Sequence, residues 1–266
     1  MRVVSFMNPA GSTAKSTTAA AVAHVAVRRG QRVLAVDLDP QANLTAWLGG
    51  VTDTAGITQA VRATVTNDPA GWPGIDPAEV RADQQRQVRR AIQLTPAGVD
   101  LIAADAGVRG LVRTWNDLRQ HPERLLADLL AAVVDDYDLV VLDCKGDLGV
   151  LAESALRAST DVVGVATPTT KALEGLQLLA AEAQQAGAQL RAVVPVQIRH
   201  RSRGADADDL YQMMTADWPT TPPVRGVASM EGAYLAGQPV TMWDRHSPAA
   251  QDYDLVVAAL VDRGVL

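Results

Sequence analysis

Six short apolar runs rich in β-branched residues recur along this chain with helix-forming sequence between them, and that alternation constrains the fold more than any other feature. They are VVSFM at 3–7, RVLAVDLD at 32–39, VDLIAA at 99–104, YDLVVLDC at 137–144, DVVGVAT at 161–167 and RAVVPVQI at 191–198. Strands apolar at nearly every position are buried on both faces, which is the pattern of a parallel sheet and not of an antiparallel one open to water. Helical stretches are expected at 16–30 (closed by a C-terminal glycine), 122–134, 171–187, 205–216 and 248–261. The expected fold class is therefore α/β, a mostly parallel twisted sheet with helices on both faces. The segment 52–93, rich in Pro, Gly and Asp at its centre, reads as a surface excursion with short helices. A single domain over 1–266 is expected, a length sufficient for one core.

Composition narrows the function classes. Hydrophobic residues make up 48% and charged residues 20%, as in ordinary soluble globular chains. No apolar run approaches the roughly 20 residues of a membrane span. The start MRVVSF leads straight into a strand, so no targeting peptide is expected. One cysteine, Cys144, excludes an internal disulfide and a cysteine metal cluster and suits a reducing cytoplasm. A net charge of −6 argues against a wholly basic nucleic-acid binder while leaving room for a local basic patch. The four histidines lack metal-ligand spacing. Only three of the 24 basic residues are lysines (Lys15, Lys145 and Lys171), so each lysine raises a specific question.

In such sheets ligands bind at the carboxyl ends of the strands. There the first strand runs into NPAGSTAKSTTAA at 8–20. A strand, a glycine-bearing loop and Lys-Ser at a helix start form the mechanical core of a phosphate-binding loop. Backbone N–H groups of Gly11, Ser12, Thr13 and Ala14 cradle phosphates, Lys15 reaches them, and a hydroxyl (Ser16, with Thr17 beside it) serves Mg²⁺. The general pattern G-x-x-x-x-G-K-[ST] is not met, because Ala14 stands where its second glycine would be. Read alone, the stretch also fits a small-residue turn ahead of a helix. Two acids, Asp37 and Asp39, stand two apart at the end of the second strand and are expected on one face. Asp143 ends another strand where an acid serving Mg²⁺ through water would sit. Buried carboxylates at strand ends are costly without a cation or donors.

Together these stretches resemble the ParA/MinD family of deviant-Walker ATPases. DLDPQANLT at 37–45, YDLVVLDC, ALEGLQLL at 172–179 and AYLAGQPVTMWDRHSPAAQDY at 233–253 match in order and spacing. The resemblance implies ATP and Mg²⁺ as cofactors, a face-to-face homodimer with nucleotide between subunits, and slow hydrolysis until a partner stimulates it. It implies that Lys15 binds the β- and γ-phosphates, Ser16 ligates Mg²⁺ and Thr17 touches the α-phosphate. Asp39 would position the attacking water, Asp37 would support the Mg²⁺ shell, and Asp143 would be the Walker B acid. The base would sit near Pro195, Gln197 and the stretch RGVAS at 225–229.

The chain departs from the family in its loop. Where members carry K-G-G-x-G-K-[ST], this chain has AGSTAKS at 10–16, so Ala10 replaces the lysine that crosses the dimer. Ala14 costs little if its φ is negative and crowds the site if φ is positive. Lys145, two residues past the Walker B acid, is similar to the arrangement in the McdA branch, where a lysine after Walker B is suggested to replace the missing one. The plain alternative is a solvated loop lysine paired with Asp147. Arg199, Arg201, Arg203 and Arg225 correspond to arginines that hold DNA without sequence preference in ParA proteins; a solvated arginine loop is the alternative. The expectation is a cytoplasmic, nucleoid-associated ATPase with a ParB-like or McdB-like partner and no membrane role. It would position a plasmid, a chromosome or a carboxysome. A metabolic P-loop synthetase and a nucleotide-binding scaffold without hydrolysis are the competing readings.

Overall fold

The expected alternation of apolar runs and helices is realised in the computed structural model, which describes residues 1–11, 13–66, 76–108, 110, 122–146, 149–197 and 205–266. Strands β1 (Arg2–Met7), β2 (Val33–Asp37), β3 (Ile92–Leu94), β4 (Asp100–Ile102), β5 (Leu139–Asp143), β6 (Asp161–Ala166) and β7 (Leu190–Pro195) form one sheet in the order β3-β4-β2-β5-β1-β6-β7. All neighbours are parallel except β3, which runs antiparallel to β4. Among the described residues the helices are α1 (Lys15–Arg28), α2 (Asn43–Trp47), α3 (Ile57–Thr66), α4 (Pro77–Arg90), α5 (Leu125–Ala131), α6 (Val150–Ala158), α7 (Thr170–Gln185), α8 (Ala205–Asp217), α9 (Ser229–Leu235), α10 (Val240–Trp243) and α11 (Pro248–Asp262).

Successive residues of the central strands feed two cores. On one face Val4 and Phe6 of β1, Ala35 of β2 and Val141 of β5 pack with α1 and with Tyr253, Val256, Val257 and Leu260 of α11. On the other face Val3 and Met7, Leu34 and Val36, and Val140 and Leu142 pack against α3, α5 and α6. The alanines of α1 are fully buried, and small side chains let this good helix former lie close to the sheet. Gly30, at φ 89°, ends the chain's first helix in the left-handed conformation that glycine accepts without cost.

The segment 52–93 differs from expectation. It contributes α3 and α4, of 10 and 14 residues, and Ile57, Ala60, Val61 and Val88 belong to the second core. Its described residues, 52–66 and 76–93, are therefore part of a covering layer, not a surface excursion, while residues 67–75 lie outside the described residues. The surface of α4 is so polar (PAEVRADQQRQVRR) that its two buried valines, Val80 and Val88, give little periodic signal.

Candidate functional site

The adjacent central strands β5, β1 and β6 end at the carboxyl edge of the sheet, and one of the chain's three lysines follows each: Lys145 in the loop after β5, Lys15 at the start of α1 and Lys171 in the first turn of α7. The loop after β1 is the most constrained. Ala14 has φ 56° and ψ 31°, so the backbone takes the left-handed conformation that glycine, the motif's residue here, adopts without cost. The alanine methyl thus carries a strain of roughly 1–2 kcal/mol. Lys15 begins α1, and its Nζ donates to the Ala10 carbonyl at 3.3 Å, as the Thr13 hydroxyl does at 3.4 Å. Burial lowers the Lys15 pKa below the ordinary lysine range, while Asp143, Asp39 and Cys144 act in the opposite direction. Ser12 lies outside the described residues, and Gly11 is exposed.

Two acids meet across the sheet. The register pairs Asp37 at the end of β2 with Asp143 at the end of β5, both on the α1 face and both buried. Their surroundings differ. Asp37 Oδ2 accepts from the Thr45 amide and hydroxyl, both at 2.8 Å, and its Oδ1 accepts from the Asp39 amide at 3.1 Å. Three of roughly four acceptor positions are therefore occupied. Burial nevertheless pushes its pKa up to about 6. Neither Asp143 oxygen has a hydrogen-bond partner. Its pKa is raised well above the usual carboxylate range by burial first and by Asp37 second. The Ser16 hydroxyl and Lys15 act against that rise, though Ser16 does not reach hydrogen-bond geometry. Burial likewise pushes the Cys144 thiol up, which leaves it protonated.

The expectation that Asp37 and Asp39 share a strand face needs correction. Strand β2 ends at Asp37, and Asp39 stands in a turn, where its Oδ1 accepts from the Gln41 amide at 2.9 Å. The turn's geometry, not strand alternation, sets its direction. Thr45 was not expected in the site. Its hydroxyl bridges Asp37 to the Ala104 amide at 3.1 Å, and a threonine eight residues past a strand-end acid is a signal visible only once α2 is placed.

After β5, Lys145 is exposed and Gly146 lies under the phosphate loop. A Cβ at Gly146 would stand 3.1 Å from the Pro9 carbonyl and 3.6 Å from Lys15 Nζ, so the loop after β5 packs directly against the loop after β1. Asp147, the alternative partner for Lys145, lies outside the described residues.

Beside the loop opens a cavity of about 690 Å³ whose walls include Ala14, Thr17, Val196, Gln197, Val224 and Tyr253. Apolar walls with a few polar groups suit a flat heterocycle. Gln197 and residues 225–228 of the expected stretch line it. Pro195 does not: it is buried in β7, where its carbonyl accepts from the Val224 amide at 2.8 Å. Arg225 lines the same cavity, but its guanidinium is clamped to Asp252 by Nε and Nη2, both at 2.8 Å. Arg199, Arg201 and Arg203 lie outside the described residues. Among the described residues the non-glycine positions with positive φ are Ala14, Ala42 and Gln197, one on each loop of this edge that follows β1, β2 and β7. Backbone strain gathers at functional sites.

A strand, a phosphate-cradling turn, Lys-Ser at a helix start and an acid ending a neighbouring strand define a P-loop nucleotide-binding protein. A family model described as an AAA domain matches residues 1–195. The chain belongs to that family, and within it to the ParA/MinD group of P-loop ATPases. It is 31% identical over 178 residues to the chromosome partitioning protein ParA of Myxococcus xanthus, a match covering 67% of this chain and 56% of that one. It spans between 39% and 56% of the lengths of this relative and of two putative replication proteins A from Rhizobium rhizogenes and Sinorhizobium fredii. In structure it is similar to apo McdA of Cyanothece, with a TM-score of 0.80 at 16% identity over 98% of this chain and 99% of that one. It is also similar to a cobyrinic acid a,c-diamide synthase of Mycobacterium smegmatis with bound ATP analogue and magnesium, with a TM-score of 0.76 at 24% identity over 99% and 95% of the two chains.

Proposed function

We propose that this chain is a ParA-type ATPase that dimerises around ATP, holds DNA without sequence preference and positions or segregates a cargo through partner-stimulated hydrolysis. The observation that carries the reading is Asp143, a buried carboxylate without a hydrogen-bond partner, set beside Ser16 and Lys15 at the carboxyl edge of the sheet. An unpaired buried acid is costly to keep, and a divalent cation with a polyphosphate offsets that cost. The residues fit Mg²⁺, with the Ser16 hydroxyl and Asp143 holding it and Asp37 supporting the shell while fixing Thr45. The bound ion would neutralise charge on the transferring phosphoryl group.

The chain's own groups then have distinct tasks. Lys15, with the loop amides from Gly11 to Ala14, binds the phosphates, and Thr17 reaches the α-phosphate. Asp39, held in its turn by Gln41, orients the attacking water. Gln197 and the apolar walls of the cavity take the base. Lys145 supplies in trans the positive charge that Ala10 does not. Ala10 could not be exchanged for a lysine without disruption, since its methyl is buried with Ala172, Leu173 and Leu176. DNA contact is assigned to Arg199, Arg201 and Arg203, with Arg225 joining only if it leaves Asp252. No helix among the described residues is long and apolar enough to cross a membrane.

The test is light scattering with Mg²⁺-ATP on wild type, Asp39→Ala and Asp39→Ala/Lys145→Ala, with Asp39→Ala/Lys171→Ala as the comparator lysine. Asp39→Ala is expected to trap a dimer that binds duplex DNA in a salt-sensitive manner, and loss of Lys145 alone to abolish it. A trapped dimer that survives Lys145→Ala removes the trans role. Nucleotide binding without any dimer, accompanied by a small-molecule product, favours the synthetase reading.

A further inference from the structure

The loop's first residue is held by a helix from another part of the chain, α7. Asn8 directly follows β1 and is 1% exposed. Its Nδ2 donates to the Val165 carbonyl of β6 at 3.0 Å and to the Ala172 carbonyl in the first turn of α7 at 3.3 Å. Its Oδ1 accepts from the Ala10 amide at 2.9 Å. The fit leaves no space: a Cβ at Gly175 of α7 would stand 2.3 Å from Asn8 Oδ1 and 3.2 Å from the Ala10 nitrogen. Ala10 in turn presents the carbonyl on which Lys15 Nζ rests. One amide side chain thus joins α7, β6, the entry of the phosphate loop and, through Ala10, the loop lysine.

We propose that Asn8 is a positioning residue for the phosphate loop, with Gly175 as its required seat, so that the first turn of α7 sets the backbone of Ala10 and with it the shape of the loop that leads to Lys15. The inference rests on the nucleotide-binding reading above and assigns that site its mechanical link. A side chain that satisfied only the core would affect stability alone. Asn8 fixes both the amide and, through the same residue, the carbonyl of Ala10, so its loss releases the loop from its phosphate-ready shape. Small misplacements in such sites cost large factors.

The experiment compares melting temperature and Mg²⁺-ATPγS affinity by calorimetry in wild type, Asn8→Ala, Gly175→Ala, the double variant, and Ala183→Gly. Ala183 is buried farther along α7, outside the contact, and serves as a destabilised control. Asn8→Ala and Gly175→Ala are each expected to weaken affinity roughly tenfold or more. The double variant is expected to be no worse than Asn8→Ala, because the Gly175 methyl then fills vacated space. Ala183→Gly is expected to melt earlier with affinity within about twofold of wild type. Affinities that follow melting temperature across all four variants, or additive losses in the double variant, overturn the link alone. A wild type that does not bind the nucleotide overturns the functional reading and this inference with it.

Discussion

Replacing Asp143 with asparagine should stabilise the protein while removing its Mg²⁺-dependent affinity. Asp143 is 1% exposed and neither oxygen has a partner. An uncompensated buried ion costs several kcal/mol after relaxation. Lys15, itself shifted by burial, offsets part of that. An asparagine there leaves a neutral, unsatisfied amide at a cost of about 1–3 kcal/mol. The difference leaves a net gain of about 2 kcal/mol for the nucleotide-free protein, or a rise in Tm of roughly 4–8 °C for a chain of this size. The sign of the pH dependence follows from the raised pKa in the fold. Unfolded carboxyls release their proton near ~4, whereas folded Asp143 keeps its proton to higher pH. Wild type therefore loses stability as pH rises above that value, and Asp143→Asn escapes the loss. Asp37, pushed up to about 6, stands opposite Asp143 on the neighbouring strand, so removing the Asp143 charge also eases the ionisation of Asp37 and widens the gap in the same direction. Melting curves in EDTA at pH 8, 7, 6 and 5 should show a gap that is largest at pH 8 and closes toward acid. Calorimetry of the same variant should show no Mg²⁺-ATPγS binding. An unchanged or lower Tm at pH 8, or a gap that ignores pH, would refute the claim that this acid stands buried and unpaired.

Two further outcomes follow from a strained residue of the loop and a buried one of helix α1. Ala14→Gly relieves about 1–2 kcal/mol of left-handed strain and gives back about 0.4–1 kcal/mol in unfolded-chain entropy, so Tm should rise by about 1–3 °C with nucleotide affinity retained; a fall in Tm would mean the methyl's packing outweighs its strain. His24 is buried, its Nδ1 lies 2.8 Å from the Thr241 hydroxyl, and its pKa is pushed down to about 4, first by desolvation. Its neutral form stabilises the fold fully above about 6.5 and less as pH falls toward 4, so His24→Gln should flatten that part of the acid limb of the Tm profile. An unchanged slope between those values would show that other groups set it.

Much of this architecture is legible in the sequence because buried parallel strands announce themselves. The apolar runs at 32–39 and 137–144 mark β2 and β5, and the acids within them mark the carboxyl edge. What escapes is whatever depends on a contact between distant segments. The α4 helix hides because its buried positions are two valines among charges. The direction of Asp39 escapes because β2 stops two residues earlier, and the bonding of Asp37 escapes because its Oδ2 is taken by a threonine on another element. Asn8 carries no motif that names its role; only Gly175, 167 positions later, explains it. The Arg225 clamp on Asp252 is equally invisible, since 27 residues separate two groups that spacing does not pair.

The two alanines with positive φ bear on how the site works before nucleotide arrives. Ala14 sits at φ 56° ahead of Lys15, and Ala42 at φ 55° ahead of α2, whose Thr45 holds Asp37. In a flexible loop each would relax to the right-handed region at once, because the left-handed one offers alanine nothing locally. That both stay strained means their surroundings over-determine them: Ala14 packs against the α1 core, and Ala42 donates to the Asp39 carbonyl at 2.8 Å. The backbone of both loops is thus held in its cradle shape by the sheet and its helices. The Lys15 ammonium, by contrast, rests on Ala10 O at 3.3 Å, a contact it must give up to reach a phosphate. The motion on nucleotide entry therefore belongs chiefly to side chains, with the Lys15 ammonium leaving a carbonyl whose residue Asn8 continues to hold.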